Sequence, residues 1–139
     1  MTRIVQGEFQ GGSAVARARA DRGRISYLAG LAAEDVVMRD YIGRGFGLLD
    51  SRWRGKRGEI DLVLKDGAGV VFVEVKKARD FDSAMSRVTP AQVRRLYATG
   101  EEYLAGLPNG SLTDVRFDVA LVNDAGQVDV VENAFGHAF

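Results

Sequence analysis

Two carboxylates and a lysine, Asp61, Glu74 and Lys76, stand in consecutive strand-like runs at residues 59–65 and 70–76. Both runs alternate and are rich in Val, Ile and Leu, the signature of strands. Asp66-Gly-Ala-Gly69 between them is a turn signal, so the runs form a hairpin. A turn symmetric about Gly67 and Ala68 sets Asp61 opposite Glu74, Glu59 opposite Lys76 and Val63 opposite Phe72. The period of two places these six on one face and Ile60, Leu62, Leu64, Val71, Val73 and Val75 on the other. Carboxylates directly opposite one another have Cβ atoms roughly 5 Å apart and repel. A cation between them removes that cost, and hard oxygen ligands suit Mg²⁺ or Mn²⁺. The lysine two residues beyond Glu74 suits a phosphate or an attacking water. The same pattern also fits a surface hairpin with scattered charges, and the argument depends on the register.

The elements around the hairpin follow from periodicity and breakers. A helical pattern runs from about Ala14 to Ile42, with Tyr27, Leu31, Glu34, Met38 and Tyr41 on one stripe. Glu34 interrupts that apolar stripe. A buried carboxylate there needs a partner or a metal, whereas an arginine pairing or an exposed stripe edge explains it without function. Gly43 and Gly45 end the helix. Residues 46–53 read as a first strand and Arg54-Gly-Lys-Arg-Gly58 as a basic turn. Residues 80–88 show little periodicity and read as a loop. Thr89-Pro90 starts a second helix, with Thr as cap and Pro in the first turn, running to about Leu107. Residues 114–122 and 127–132 are the remaining strands. The order α-β-β-β-α-β-β fits one α/β or α+β domain. Residues 1–13 read as a loose polar tail and residues 14–139 as a single domain.

Composition excludes several classes. The chain has 139 residues, 27% charged and 46% hydrophobic, with 19 basic and 19 acidic side chains and no cysteine. Disulfides and thiolate metal sites are ruled out. No apolar run approaches the ~20 residues of a membrane span, and the N-terminus lacks a leader pattern. A cytoplasmic location without membrane association is expected. Neutral net charge argues against a strongly basic nucleic-acid module. Residues 44–95, however, hold 12 basic and 7 acidic side chains, a local excess of +5. A polyanion could dock on that third of the chain, or the cations simply solvate a face. Trp53 ends an apolar run and reads as core rather than as a base-stacking platform. Asp118 fits a structural hydrogen bond, and the lone His137 a solvated position.

The strings Arg57-Gly-Glu-Ile-Asp-Leu-Val63, Val71-Phe-Val-Glu-Val-Lys76, Val88-Thr-Pro90 and Arg116-Phe-Asp-Val119 resemble the YraN-like family of uncharacterised bacterial proteins. Gly30, Glu34 and Gly45 fall where that family has its first helix and the following glycine. The resemblance covers roughly residues 25–123. That family is similar to archaeal Holliday-junction resolvases and belongs with the PD-(D/E)xK nucleases. The resemblance implies a restriction-endonuclease-like α/β single domain with a central mixed β-sheet flanked by helices. It implies that Asp61 and Glu74 hold Mg²⁺ or Mn²⁺, with the Val75 carbonyl as a further ligand. Lys76 then orients or activates water, and Glu34 completes the acidic cluster.

Arg54, Arg57, Lys77, Arg79 and Arg95 are the basic candidates for substrate contact. Arg79 is shifted from the family's usual arginine, and Gln92 stands where the family often has lysine; related nucleases use a glutamine there. The expected activity is metal-dependent cleavage of DNA, branched or damaged duplexes included. The alternative is a nuclease-like fold that binds nucleic acid or a protein partner without cutting. Junction resolvases commonly act as homodimers, and the exposed edges of a small sheet allow the same here.

Overall fold

The computed structural model describes residues 14–135. Its elements are α1 (Ala14–Gly43), β1 (Gly47–Arg54), β2 (Glu59–Asp66), β3 (Gly69–Lys77), α2 (Phe81–Met85), α3 (Pro90–Ala105), β4 (Val115–Val122) and β5 (Val128–Val131). By compactness the chain divides into Met1–Ala32 and Ala33–Phe139. The described part of the first unit is the helical segment 14–32. The expected tail over residues 1–13 lies outside the described residues.

The second unit is an α/β domain built on one five-stranded sheet in the order β1-β2-β3-β4-β5. All neighbours are antiparallel except β3 and β4, which run parallel. A parallel pair needs a long crossover, and α2 and α3 supply it. The sheet is therefore mixed and flanked by helices, as the sequence implied.

Each face of the sheet is closed by a helix. Ala33, Val37 and Tyr41 of α1 pack on Leu62, Leu64, Val71, Val73, Ala120 and Val122. Leu96 and Tyr103 of α3 pack on Ile60, Val63, Val70, Phe72 and Phe117. Gly100 lets α3 approach closely, because a Cβ there would meet the Phe117 and Phe72 rings at 3.0 Å. The buried line of α1 is thus Ala33, Val37 and Tyr41, with Met38 partly buried beside it and Glu34 at its flank. The expected stripe was rotated from this line; Tyr27, which anchored it, is among the residues whose side chains are not described.

Local signals fix the helix ends. Gly45 has φ of +100°, Phe46 N–H donates to Tyr41 O at 3.1 Å and Gly45 N–H to Ile42 O at 3.0 Å. That is a Schellman motif, completed by the edge-to-face contact of Phe46 on Tyr41. Thr89 and Gln92 form a capping box with Pro90 in the first turn of α3. Residues 81–85, expected within a loop, form the helix α2. Asp80 caps it by accepting from Ser83 N–H at 2.8 Å, and it buries Ala84. Five residues are too few for a periodic signal.

The hairpin register follows the symmetric turn from Asp66↔Gly69 to Leu62↔Val73, with Val63 opposite Phe72. The ladder then stops one step short of Asp61 and Glu74. Ile60 packs with Val63 and Phe72 against α3, not with Leu62. The strict alternation expected for β2 is therefore broken at Asp61. Strand β1 shifts its register on β2 between Leu48 and Asp50, and then pairs Ser51 with Leu62 and Trp53 with Ile60. Arg52 has φ of +52°, in the left-handed region. That conformation is costly for a residue with a Cβ.

Candidate metal centre

The Asp61 carboxylate takes over where the ladder ends. Its Oδ2 accepts the Val75 N–H at 2.8 Å. A side chain thus occupies a strand's hydrogen-bonding position, and Asp61 is fixed beside the peptide that follows Glu74. Glu74 Oε2 lies 3.1 Å from Lys76 Nζ, and both side chains are at most one-fifth exposed. Glu34, on α1, has Oε1 3.5 Å from Arg52 Nη1. Glu59 Oε2 lies 3.0 Å from Arg54 Nη2. Three of the four carboxylates therefore have a cation each. Asp61, among the described residues, has the Val75 peptide N–H and no ion pair.

The electrostatics follow from that imbalance. Burial pushes the Asp61 carboxyl up to about 7, and the nearby Glu74 charge adds to the rise, with the Val75 hydrogen bond opposing it. Burial also raises Glu34, against the pull of Arg52, and the charges of Glu59 and Glu74 raise it further. Glu34, Glu59, Asp61 and Glu74 thus feel one another as a single acidic group.

This arrangement is able to receive a cation. Mg²⁺ is held by one or two carboxylates and keeps several waters, and Asp61 and Glu74 supply two hard, desolvated oxygens on adjacent strands. Among the described residues no three His, Cys, Asp or Glu side chains converge into a ready cage. The donor set therefore suits a hydrated, octahedral ion rather than a closed structural site. The Val75 N–H meets the centre at the Asp61 carboxylate.

The expected substrate-binding residues are not all brought to the centre. Arg54 is engaged with Glu59 at its margin. Arg57, within the β1–β2 turn, and Arg95, on α3 beside Gly58, are exposed. Lys77 ends β3, its carbonyl accepting from Arg87 Nη1 at 3.0 Å. Arg79 pairs with Asp80 at 3.5 Å on the surface. Gln92 commits its side chain to Thr89, accepting the cap N–H at 3.1 Å. Trp53 packs edge-to-face on Tyr103 at 5.1 Å. Asp118 is fully buried and saturated by Tyr41 Oη at 2.7 Å, the Arg116 guanidinium at 2.9 and 3.0 Å, and Asn133 N–H at 2.9 Å. His137 lies outside the described residues. Sequence reasoning missed Arg52, whose place against Glu34 joins β1 to α1, and Glu102, described below.

Fold and centre together define a small α/β protein with an acidic group at the break of its central hairpin. The model of the uncharacterised protein family UPF0102 matches residues 33–122, and the chain belongs to that family, the YraN-like family its strings resemble. It is 53% identical over 121 residues to a UPF0102 protein of Ruegeria pomeroyi, covering 87% of this chain and 98% of the relative. It is 55% identical over 117 residues to one of Roseobacter denitrificans, covering 84% and 91%. A UPF0102 protein of Dinoroseobacter shibae is 40% identical over 121 residues, covering 87% and 90%. Among the described residues no helix is long and apolar enough to cross a membrane.

Proposed function

We propose that this protein is a divalent-metal-dependent nuclease that hydrolyses phosphodiester bonds in DNA, branched or damaged duplexes among them. The observation that carries the reading is the placement of Asp61. Its carboxylate is anchored on the Val75 amide, beside Glu74 and Lys76, and among the described residues it has no cation of its own. Asp61 and Glu74 would hold Mg²⁺ or Mn²⁺, with the Val75 carbonyl as a further oxygen ligand. When bound, the ion supplies Lewis-acid polarisation of a phosphoryl oxygen and a more acidic water. Lys76, two residues from Glu74 on the same strand, presents an ammonium to the developing phosphoryl charge and to the attacking water. Glu34 supplies a nearby carboxylate able to accept a hydrogen bond or a proton from that water. Arg52 and Lys76 balance Glu34 and Glu74 until substrate and ion arrive.

The test is calorimetric titration of Mg²⁺ and Mn²⁺ into the wild type and the Asp61→Ala/Glu74→Ala double variant. Both proteins are then assayed on four-way-junction, flap and duplex DNA. Binding and cleavage in the wild type, both lost in the variant, are expected. Undiminished cleavage by the variant removes the idea. A second reading, a non-cutting binding module on the same fold, is favoured by one observation. Among the described residues no three potential ligands converge, and three of the four carboxylates are already neutralised by protein cations. It predicts nucleic-acid binding indifferent to Asp61 and Glu74.

A further inference from the structure

The basic turn between β1 and β2 is held by an acid on α3. Glu102 Oε2 accepts the Lys56 N–H at 2.8 Å, while its Oε1 accepts the same N–H at 3.0 Å and the Arg57 N–H at 3.3 Å. Gly55 N–H donates to Gly58 O at 2.9 Å and closes the turn. Both glycines allow a close approach. A Cβ at Gly55 would lie 2.5 Å from Glu102 Oε1, and one at Gly58 would lie 2.9 Å from Thr99 Oγ1 and 3.0 Å from Arg95 Cδ. Arg95, Thr99 and Glu102 lie three and four residues apart on α3, so they form one helical stripe on which the turn is seated.

A Glu102 side chain that binds backbone amides fixes the turn but leaves its cations outward. The Lys56, Arg57 and Arg95 side chains are exposed and have no acidic partner among the described residues. Arg54 leads from the turn into Glu59, two residues from Asp61 on β2. Arg54 thus carries the basic turn to the margin of the acidic centre, on a backbone that does not need to be ordered on binding. Preorganisation of this kind lowers the entropy lost on association.

We propose that residues 54–58 form a rigid clamp for consecutive backbone phosphates of a nucleic acid, and that Glu102 is its positioning residue. The proposal rests on the reading of nucleic acid as substrate, but it does not require cleavage. It also makes a prediction with an unusual sign. By Coulomb's law alone, removing the Glu102 charge beside Lys56 and Arg57 tightens binding to a polyanion. If Glu102 acts by holding the turn, removing it weakens binding.

The experiment is fluorescence anisotropy of a labelled DNA duplex in EDTA over a series of KCl concentrations. Lys56→Ala/Arg57→Ala is expected to lower the salt slope by about 2, roughly one for each lost phosphate contact. Glu102→Ala is expected to weaken binding about three- to tenfold at low salt, as loss of one well-placed phosphate contact does. Gly55→Ala keeps every charge while its methyl displaces the Glu102 carboxylate, so it should weaken binding to the same degree. The double variant should be no worse than either single variant. Circular dichroism and melting curves confirm folding of each, and Gly55→Ala keeps the test open should Glu102→Ala fold poorly. Unchanged or tighter binding by both Glu102→Ala and Gly55→Ala overturns the clamp, as does failure of the wild type to bind the duplex. A wild type that binds through the clamp but never cuts with Mg²⁺ or Mn²⁺ removes the nuclease reading alone.

Discussion

Replacing Asp61 with Asn should stabilise the metal-free protein, and should do so only where Asp61 is charged. The Asp61 carboxyl is held at about 7 in the folded chain against an ordinary value of 3.8. Folding therefore favours its protonated form, so its contribution to stability falls as pH rises through that window. Below 3.8 the group is neutral in both states and costs nothing on this account; above about 7 it is ionised in both and the full penalty is present. At 1.36 kcal/mol per unit, a difference of 7 minus 3.8 sets a ceiling of about 4 kcal/mol. Asn retains one side-chain oxygen that can take over the Val75 N–H from the Asp61 Oδ2, and it removes the repulsion from Glu74. Urea unfolding in EDTA at pH 8 and at pH 4 measures it. The variant should be more stable by about 1–4 kcal/mol at the higher pH, with the gain largely gone at the lower. Added Mg²⁺ should then stabilise the wild type and not the variant, by linkage. A variant destabilised equally at both pH values would show that Asp61 is a structural hydrogen-bond acceptor and nothing more, refuting the reasoning.

Asp118 provides the contrasting case, because its charge is fully satisfied. Asp118→Ala should cost about 3–5 kcal/mol by leaving the Asn133 amide unpaired and Arg116 with only its longer contact to Glu132 at 3.7 Å, read as a loss of urea midpoint without any effect specific to metal. Tyr41→Phe removes one donor to that carboxylate and should cost about 1–3 kcal/mol in the same assay. Thr89→Ala breaks the capping box of α3 and should cost about 1 kcal/mol, with the helix otherwise intact by circular dichroism. At Arg52, where φ is +52°, Gly should be tolerated better than Ala by about 1 kcal/mol. Equal melting temperatures for those two would show that the left-handed conformation carries no strain.

The hairpin and its neighbours were legible because local chemistry dictates them. Asp66-Gly-Ala-Gly69 fixed the register through Leu62↔Val73, and Thr89-Pro90 the start of α3. What could not be read was decided by contacts far apart in the chain. The alternation of β2 fails at Asp61 because a carboxylate there bonds Val75, fourteen residues away. Ile60 turns to the α3 side with it. Glu102 lies 46 residues from the Lys56 amide it holds, and no spacing rule links the two. Helix α2 is too short to show a period and persists through the burial of Ala84.

The same distinction bears on how the acidic centre should be understood. From sequence, Asp61 and Glu74 form a symmetric pair facing each other across a ladder. In the fold they are unequal. Glu74 has Lys76, Glu34 has Arg52 and Glu59 has Arg54, while Asp61 has a neutral peptide N–H. A peptide dipole offsets much less charge than an ion pair does at similar distance, and burial removes the water that would otherwise help. The uncompensated negative charge is therefore localised at Asp61, at the point where the β2–β3 ladder ends. Exchanging the partners tests whether that asymmetry matters. Lys76→Met removes the cation from Glu74 without adding one to Asp61. It should leave two neighbouring carboxylates uncompensated, lower stability in EDTA at pH 8, and make the protein depend on Mg²⁺ for its full melting temperature. If Lys76→Met melts as the wild type does with and without Mg²⁺, the charge balance drawn from these distances does not govern the centre.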